Sequence, residues 1–455
     1  MCPLFFTCIN SCALKCSSHH LQSTAKLCHL PQLIIKFYKK NNVVRIRQNM
    51  LIFVEYNRHK MESLFEFQAS ILRGVNNSFR RYLFGQISWG ERMIGIKGPR
   101  GSGKTTLILQ HLKYDLDLNE ALYITADHTW FYSNSLYETA NEWNKRGGKY
   151  LFIDEVHKYT GWSRELKNIY DGLPELKVVF TASSALDIYR GEADISRRVV
   201  SYLLTGLSFR EYILFRDKIE LPFISLEDML KTHVDFSNYV ASEIKPLPEF
   251  RKYLEYGYLP IIAEGVQTYK MKLNGIINAI VDTDMAYVAS YNSGTAYKIK
   301  KLLGVISQSV PFKPNIAAIA SKLDLSRDSV YQYIYRLRDA GLLNTLSFEG
   351  KGVSTLQKPE KIYLENSNLS YVLQEQPDVG NIRETFVLNQ LINSGREVFA
   401  SNDGDFLTGD LTIEVGGRNK TAAQVKHLQK YLVAADNIEV GFGNKVPIWM
   451  FGFLY

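Results

Sequence analysis

The segment Gly98–Thr105 constrains this chain more than any other feature of its sequence, because it reads GPRGSGKT. It fills the pattern G-x-x-x-x-G-K-[ST], and it lies between an apolar run at 93–97, which predicts a strand, and a stretch that predicts a helix. Glycines let backbone N–H groups turn inward around phosphate oxygens, and the N-terminus of the next helix adds the positive end of its dipole. The segment therefore predicts a phosphate-binding loop rather than an ordinary glycine turn.

The side chains of this loop divide between phosphate and metal. Lys104 is expected to reach the β- and γ-phosphates of a nucleotide, and the hydroxyl of Thr105 is expected to bind Mg²⁺. The predicted cofactors are therefore ATP and Mg²⁺. The residues of the loop expected to contact them are Gly98, Gly101, Ser102, Gly103, Lys104, Thr105 and Thr106.

A second motif lies downstream, where the apolar run Tyr150–Ile153 ends in the carboxylates Asp154 and Glu155. Asp154 is expected to support Mg²⁺ through its water shell, and Glu155 to orient the attacking water or accept its proton. An acidic pair after a strand is a weak signal alone. It becomes a strong signal here because a phosphate-binding loop precedes it.

Two further stretches belong to the same predicted sheet edge. Phe180–Ser184 ends an apolar run with hydroxyl groups, and Ser183 is a candidate to contact the γ-phosphate or the attacking water. The alternative is a serine-rich turn that caps the next helix. Arg197 and Arg198 follow, and one of them is a candidate arginine finger that acts on the nucleotide of a neighbouring subunit. The alternative for this pair is an ordinary basic surface.

The order of elements predicts an α/β fold. Short apolar runs at 93–97, 122–125, 150–153 and 178–181 are separated by helical stretches, which is typical of a parallel sheet covered by helices. Between about 208 and 310 amphipathic helices replace this alternation, which predicts a helical lid or linker. The chain has 455 residues, and at roughly 100–200 residues per domain this length predicts two to four domains.

The positive charge and the cysteines of the chain are confined to its first part. Residues 1–60 hold nine Lys or Arg against one acidic residue, Glu55, whereas the remainder has 45 basic and 45 acidic residues. All five cysteines lie in the same segment, and their spacing matches no zinc-finger pattern. The net charge of +8 thus gives no indication of a basic groove elsewhere. We expect residues 1–60 to be an extension outside the working fold, of the kind that an over-extended translation start produces.

Six stretches in a fixed order carry a resemblance to a known family: Gly98–Thr105, Tyr150–Glu155, Phe180–Ser184, Leu204–Tyr212, Tyr253–Pro260 and Asp405–Lys420. From Met61 onward the chain resembles the bacterial and archaeal AAA-type ATPases that join a P-loop domain to a winged helix and a restriction-endonuclease-like C-terminal domain. The expected boundaries are a P-loop ATPase domain at 61–207, the helical lid at 208–310, the winged helix-turn-helix at 311–355 and the nuclease-like α/β domain at 356–455.

The winged-helix region shows its own sequence pattern. Ile316–Leu323 is short and amphipathic, Asp324 makes a turn, and Ser326 caps a second helix that runs to about Ala340. In a winged helix the second helix enters the major groove. The side chains suited to phosphates and base edges are Ser326, Arg327, Ser329 and Gln332. Contact with DNA and a structural or protein-contact use are both open.

The C-terminal segment holds acids and a lysine in an order that resembles the PD-(D/E)xK nuclease core. Glu384 lies on a predicted helix, Asp405 follows a turn, and Glu414 lies on a predicted strand. In such a core the carboxylates hold Mg²⁺, and the lysine stabilises the phosphate or positions water. Gly416 stands where a hydrolytic core has its lysine, so Lys420 or Lys426, farther along the chain, would have to substitute. An active nuclease and a degenerate fold used for docking are the alternatives.

Taken together, the motifs predict an ATP-binding and ATP-hydrolysing protein in which hydrolysis moves the helical and C-terminal parts. One alternative is a nucleotide-gated DNA-binding or scaffold protein with negligible turnover. Another is a metal-dependent nuclease with a regulatory ATPase. A homo-oligomer is expected if an arginine acts across an interface. Because no apolar run reaches about 18 residues after residue 60, no membrane span is expected. The absence of cysteine from the main body fits a reducing cytosol, so a cytoplasmic location is expected.

Overall fold

The computed structural model describes residues 61–182, 195–286, 291–308, 311, 315–350 and 358–455. The predicted extension at 1–60 and the candidate Ser183 therefore lie outside the described residues. The chain divides into two compact units, Met1–Ala69 and Ser70–Tyr455. Helix α1 (Glu62–Arg73) precedes the first strand in the chain.

A five-stranded parallel sheet carries the predicted phosphate-binding loop. Its strands are β1 (Met93–Lys97), β2 (Ala121–Thr125), β3 (Tyr150–Asp154), β4 (Lys177–Ala182) and β5 (Val200–Leu203). Their order across the sheet is β2-β3-β4-β1-β5. The first four strands are buried apolar runs, as expected of a sheet covered by helices. The α/β prediction is confirmed. Strand β5 was not predicted, because this edge strand is mostly exposed and lacks an apolar run.

Strand register brings the ends of the central strands together. Lys97 at the end of β1 is paired with Ala182 at the end of β4, and Asp154 at the end of β3 is paired with Thr125 of β2. Helices α2 (Lys104–Asp115), α3 (Leu136–Lys145) and α4 (Trp162–Gly172) connect these strands. Because the carboxyl ends of parallel strands lie at the same edge of a sheet, the loop after β1 and the carboxylates at the end of β3 lie at the same edge.

Helices dominate the region after β5, as predicted. They are α5 (Phe209–Asp217), α6 (Leu226–Glu243), α7 (Pro246–Tyr256), α8 (Val266–Ala279) and α9 (Ser293–Ser307), with a π-helical turn at Ile280–Asp284. Capping is visible at the start of α5, where the Ser208 side chain accepts the N–H of Glu211 while the Glu211 side chain accepts the N–H of Ser208. None of the helices in the part of the chain that the structure describes is long and apolar enough to cross a membrane.

The C-terminal part of the chain contains a helix pair followed by a two-stranded sheet, and then a second helix pair followed by a five-stranded mixed sheet. Helices α10 (Ile316–Leu323) and α11 (Arg327–Asp339) precede the antiparallel pair β6 (Leu343–Leu346) and β7 (Lys361–Leu364). Helices α12 (Ser367–Leu373) and α13 (Val379–Asn393) lead to β8 (Phe399–Ala400), β9 (Phe406–Thr408), β10 (Leu411–Gly416), β11 (Tyr431–Ala435) and β12 (Lys445–Pro447). This mixed sheet has the order β12-β11-β10-β9-β8.

One continuous apolar core joins the parts of the chain after β5. Its buried members run from Leu207 to Leu454 and include side chains of the helical region, of α10 and α11, and of the second sheet. The expected boundaries at 310 and 355 therefore do not separate independent cores. Separating these parts would expose apolar surface to water.

Candidate active site

The conformation of the loop depends on its glycines. Gly101 and Gly103 have φ angles of +83° and +93°, a region that side chains with a Cβ rarely adopt. A Cβ on Gly98 would lie 2.0 Å from the carbonyl oxygen of Leu204, so this position has no room for a side chain. Helix α2 starts at Lys104, and its N-cap Gly103 supplies no side-chain acceptor. The first N–H groups of α2 are therefore available to an anion.

Lys104 lies inside the loop. Its Nζ donates hydrogen bonds to the carbonyl oxygens of Gly98 and Pro99, at 2.8 and 2.9 Å. The residue is only 6% exposed. Burial lowers the pKa of Lys104 to about 8, and the carboxylates of Asp154 and Glu155 oppose this shift. A cation in this environment gains from a multiply charged anion, which supports the predicted contact with phosphate.

Thr105 and Asp154, the two predicted Mg²⁺ ligands, are in direct contact. Thr105 Oγ1 donates to Asp154 Oδ2 at 2.7 Å, and the Tyr123 hydroxyl donates to the same oxygen at 2.9 Å. Thr181 Oγ1 donates to the other carboxylate oxygen. Asp154 is 4% exposed, so these three hydroxyls stabilise a buried carboxylate. Carboxylate and hydroxyl oxygens are the kinds of ligand that Mg²⁺ prefers, and the donor set fits the predicted ion.

Glu155 is held by its backbone. It has φ +48°, and its N–H donates to Thr181 Oγ1 at 3.0 Å. Burial raises the pKa of the Glu155 carboxyl, and the nearby charge of Asp154 raises it further, while Lys158 opposes the shift. A half-buried carboxylate with a raised pKa accepts a proton more readily than an exposed one, which suits the predicted base.

Thr181 is a residue of this site that sequence reasoning missed. The hydroxyl-rich stretch at 180–184 drew attention to Ser183, which lies outside the described residues, whereas Thr181 contacts both Asp154 and Glu155. The signal was available, because Thr181 follows three buried apolar residues and therefore lies at the end of β4, beside β3. Tyr123 gave no such signal, because a tyrosine on a strand is ordinarily core.

Two further cations and an acid lie at the loop without having been predicted. Arg100 Nη1 lies 3.4 Å from Asp284 Oδ1, and Lys158 Nζ lies 3.8 Å from the same oxygen. His157 is affected by the same positive charge, because burial and then the charges of Lys158 and Lys104 lower its pKa to about 3. Asp284 lies 184 positions from Arg100 in the chain, and no pattern in the sequence links the two.

The remaining candidates at this site differ in their surroundings. Ser102 is buried, and its Oγ has no hydrogen-bond partner among the described residues. Thr106 is exposed on α2, and Arg197 is exposed before β5. Arg198 forms an ion pair within its own chain, with Nε 2.9 Å from Asp171 Oδ1. An arginine finger in trans therefore stays a prediction, and Arg198 would have to leave Asp171 to act as one.

The C-terminal acids and lysine lie near one another. Lys420 forms an ion pair with Glu414. Burial and the nearby charge of Asp405 raise the pKa of Glu384 to about 7, and the Tyr363 hydroxyl donates to Glu384 Oε2 at 2.9 Å. Within the described ranges no group of three or more His, Cys, Asp or Glu side chains is placed to hold a metal ion. The nuclease-like interpretation stays a prediction.

Gly416 and Lys420 are related by packing. A Cβ built on Gly416 would lie 2.6 Å from Cγ and 2.7 Å from Cβ of Lys420. The stem of Lys420 therefore fills the space beside β10 that a side chain at position 416 would enter. Lys420, four positions farther along the chain than Gly416, thus lies next to Glu414.

The predicted DNA-contacting side chains lie at the start of α11. Ser326 caps this helix by accepting the N–H of Ser329 at 3.0 Å. Arg327 and Gln332 are exposed. A cap and two exposed polar side chains are equally compatible with solvent, so the contact with DNA stays a prediction.

Comparisons with known proteins find a similarity in the region of the parallel sheet. Residues 90–213 match a family model described as an AAA domain. This range includes the loop and the carboxylates Asp154 and Glu155. No curated protein matches the chain. Similar solved structures include PCH-2 from C. elegans, 16% identical over 38% of this chain and 48% of that one, with a TM-score of 0.20. Another, titled as the structural basis for katanin self-assembly, is 18% identical over 38% of this chain and 65% of that one, with a TM-score of 0.23. The chain thus spans less than two thirds of the length of either structure.

Proposed function

We propose that this chain is an AAA-type ATPase that binds ATP with Mg²⁺ through the loop Gly98–Thr105 and hydrolyses it. The observation that carries the proposal is the 2.7 Å hydrogen bond from Thr105 Oγ1 to Asp154 Oδ2. This bond joins the start of α2 to the end of β3, so the phosphate-binding loop and the carboxylate strand form one site. The AAA domain match over residues 90–213 supports the same conclusion.

The chain's own groups supply binding and orientation. The first N–H groups of α2 and the ammonium of Lys104 bind the phosphates of ATP. Thr105 and Asp154 are the residues that would hold Mg²⁺. When bound, this ion neutralises charge that develops on the phosphates. Tyr123 and Thr181 keep the Asp154 carboxylate in place by donating to its two oxygens.

Glu155 orients the attacking water and takes up its proton. Its backbone is held against Thr181 Oγ1, and Thr181 also donates to Asp154, so one hydroxyl positions both carboxylates. The raised pKa of Glu155 favours proton uptake. Hydrolysis then breaks the bond between the terminal phosphorus and the bridging oxygen, and water supplies the new P–O bond.

Contacts between the loop and the later parts of the chain support the coupling of nucleotide state to movement. A Cβ on Gly101 would lie 3.1 Å from Ile276 Cδ1 of α8, and a Cβ on Gly341 would lie 3.7 Å from Cβ of Pro99. A change in the loop therefore presses on the helical region and on the segment after α11. Because both belong to one core, they respond together.

Two variants test the ATPase on the full chain. Lys104→Ala removes the loop cation and is expected to abolish nucleotide binding, whereas Glu155→Gln is expected to bind ATP and fail to turn it over. Phosphate release at saturating ATP and Mg²⁺ is the measurement. The matched control is Glu175→Gln, an exposed glutamate before β4. Wild-type phosphate release from both Lys104→Ala and Glu155→Gln would overturn the proposal.

The alternative without turnover is separated by the same assay. Tight ATP binding with no release beyond one phosphate per chain favours a nucleotide-gated switch, and steady release favours the enzyme. Adding DNA distinguishes a further case, because stimulated turnover supports the predicted DNA contact through Arg327 and Gln332. Sedimentation with and without ATP tests the expected homo-oligomer.

A nuclease is kept as a second candidate because Lys420 packs in the space beside Gly416 and pairs with Glu414. The acids that would act with it are Glu384, Asp405 and Glu414. Incubation of plasmid DNA with the full chain and Mg²⁺ or Mn²⁺ tests this candidate. Cleavage that disappears in Glu414→Ala is required, and intact plasmid with both metals counts against it.

A further inference from the structure

A carboxylate from the helical region lies among the cations of the nucleotide loop. Asp284 is the last residue of the π-helical turn that follows α8. Its Oδ1 lies 3.4 Å from Arg100 Nη1, inside the loop, and 3.8 Å from Lys158 Nζ, which follows Glu155 on a short 3-10 turn. One acid therefore contacts both the phosphate-binding loop and the segment that follows Glu155. Single π-turns of this kind are frequent at functional sites.

Burial of Asp284 strengthens its electrostatic interaction with the two cations. Asp284 is 4% exposed, while the side chains of Arg100 and Lys158 are 33% and 26% exposed. Little water screens the carboxylate, so charges beside it act more strongly than they would at the surface. Burial raises the pKa of Asp284, and the charges of Arg100, Lys158 and Lys104 oppose that shift. The cations around Asp284 therefore offset part of the cost of burying its charge.

The helical region is seated on the loop at several points, which holds Asp284 where it is. The positions of Gly101 and Gly103 lie against Leu259, Pro260 and Ile276, with distances of 3.6, 3.7 and 3.1 Å from the place of a Cβ. These apolar contacts bring no charge to the loop. Asp284 is the charge that the π-helical turn contributes there.

We propose that Asp284 competes with the terminal phosphate of ATP for Arg100 and Lys158. These two cations are then further phosphate-binding residues, and Asp284 sets the preference of the site between ATP and ADP. The inference rests on the proposed binding of ATP. A terminal phosphate close to Asp284 is repelled by the carboxylate and attracted by the same two cations, whereas ADP brings no such group. ATP binding thus separates Asp284 from Arg100 and Lys158, and the helical segment that carries the acid shifts with it.

A matched control lies two positions away on the same turn. Asp282 is 46% exposed, and it pairs with Lys300 at 2.6 Å rather than with the loop. Asp282→Asn removes one negative charge from the same element without touching the cations of the site. Asp284→Asn removes the charge that faces them, and it keeps the size of the side chain.

The test is equilibrium binding of fluorescent analogues of ATP and ADP, with Mg²⁺, to the full chain. Asp284→Asn is expected to bind the ATP analogue roughly tenfold more tightly than wild type, since one like charge is removed beside the phosphate. The ADP analogue is expected to change by less than about threefold. Asp282→Asn is expected to match wild type with both analogues.

The outcomes separate the inference from the proposed function. If wild type binds the ATP analogue and Asp284→Asn binds it equally or more weakly, the competition is wrong while ATP binding stands. Absence of nucleotide binding in wild type and in both variants overturns the proposed function and the inference with it. Equal tightening for both analogues also overturns the inference, because the effect would then not depend on the terminal phosphate.

A second variant keeps the test valid if Asp284→Asn disturbs the fold. In Arg100→Gln one of the two cations is absent, so the gain from Asp284→Asn is expected to shrink by at least about threefold in the double variant. Thermal unfolding of each variant reports whether the fold is intact. An undiminished gain in the Arg100→Gln background would show that Asp284 does not act through Arg100.

Discussion

Arg81 and Glu211 form a buried ion pair across 130 positions of the chain, with Arg81 Nε 2.9 Å from Glu211 Oε1. Their side chains are 5% and 2% exposed. The guanidinium also donates to the carbonyl oxygens of Ser102, Thr205 and Gly206, at 2.6, 2.9 and 2.8 Å. One arginine therefore connects the nucleotide loop to the segment that leads from β5 into α5.

Removal of one partner of this pair is expected to be severe. Arg81→Met leaves the Glu211 carboxylate buried without its cation and three carbonyl groups without their donor. We expect a loss of about 3–5 kcal/mol in the free energy of unfolding, measured by urea denaturation. The neighbouring Arg80→Met is the control, because Arg80 pairs with Asp115 at a partly exposed site and is expected to change stability by less than about 1 kcal/mol. Equal losses in both variants would contradict this account.

Thr181→Val is expected to impair turnover more than nucleotide binding. The substitution keeps the shape of the side chain and removes the hydroxyl that donates to Asp154 and accepts the N–H of Glu155. We expect kcat to fall by about 10- to 100-fold, since catalytic groups tolerate little displacement, while the affinity for ATP changes by less than about threefold. Steady-state phosphate release and ATP binding are the measurements. Thr412→Val, at a buried threonine of β10, is the control, and an unchanged kcat in Thr181→Val would refute the positioning.

Glu365 is expected to make stability depend on pH. Burial raises the pKa of this carboxyl from 4.5 to about 7, although the Tyr258 hydroxyl and the Asn389 amide donate to it. The folded chain therefore binds the proton more tightly than the unfolded chain. This contribution to stability is complete below about pH 4.5 and is lost as the pH rises through 7.

The substitution Glu365→Gln removes this dependence. Between pH 5 and pH 8 the free energy of unfolding of wild type is expected to fall by about 2 kcal/mol more than that of Glu365→Gln, at about 1.4 kcal/mol per pKa unit and allowing for solvent access. Urea denaturation at the two pH values is the measurement. The exposed Glu375→Gln serves as the control. Parallel curves for wild type and Glu365→Gln would rule the assignment out.

Gly416→Ala is expected to destabilise the second sheet. Its Cβ would lie 2.6 Å from Cγ of Lys420, a contact that requires the lysine stem to move. We expect a loss of about 1–3 kcal/mol, recovered in part when Lys420→Ala is added. Gly275→Ala, on α8 with nothing within 4 Å of the added Cβ, is expected to gain about 0.5–1 kcal/mol instead. Thermal or urea unfolding measures both, and a gain in Gly416→Ala would contradict the packing.

The local parts of the site were predictable from the sequence because each is a contiguous pattern. Gly98–Thr105 required only its own residues and the strand before it, and Asp154 and Glu155 required only the apolar run that precedes them. The short apolar runs also predicted four of the five strands of the parallel sheet. The exposed β5 had no such run, and its place beside β1 is decided by pairing across the sheet.

Amino-acid order alone thus determined the α/β class, the loop, the lysine inside it and the two carboxylates, because backbone torsion preferences and apolar periodicity act over a few neighbouring residues. Tertiary structure alone decided that Thr181 joins Asp154 to Glu155, that Lys420 fills the place beside Gly416 and that Asp284 faces Arg100. The physical reason is that Thr181 and Asp284 lie far along the chain from the residues they contact, and that the Lys420 stem reaches Gly416 only through the path of the loop between them. Their distances depend on how helices and strands pack, which no local pattern records.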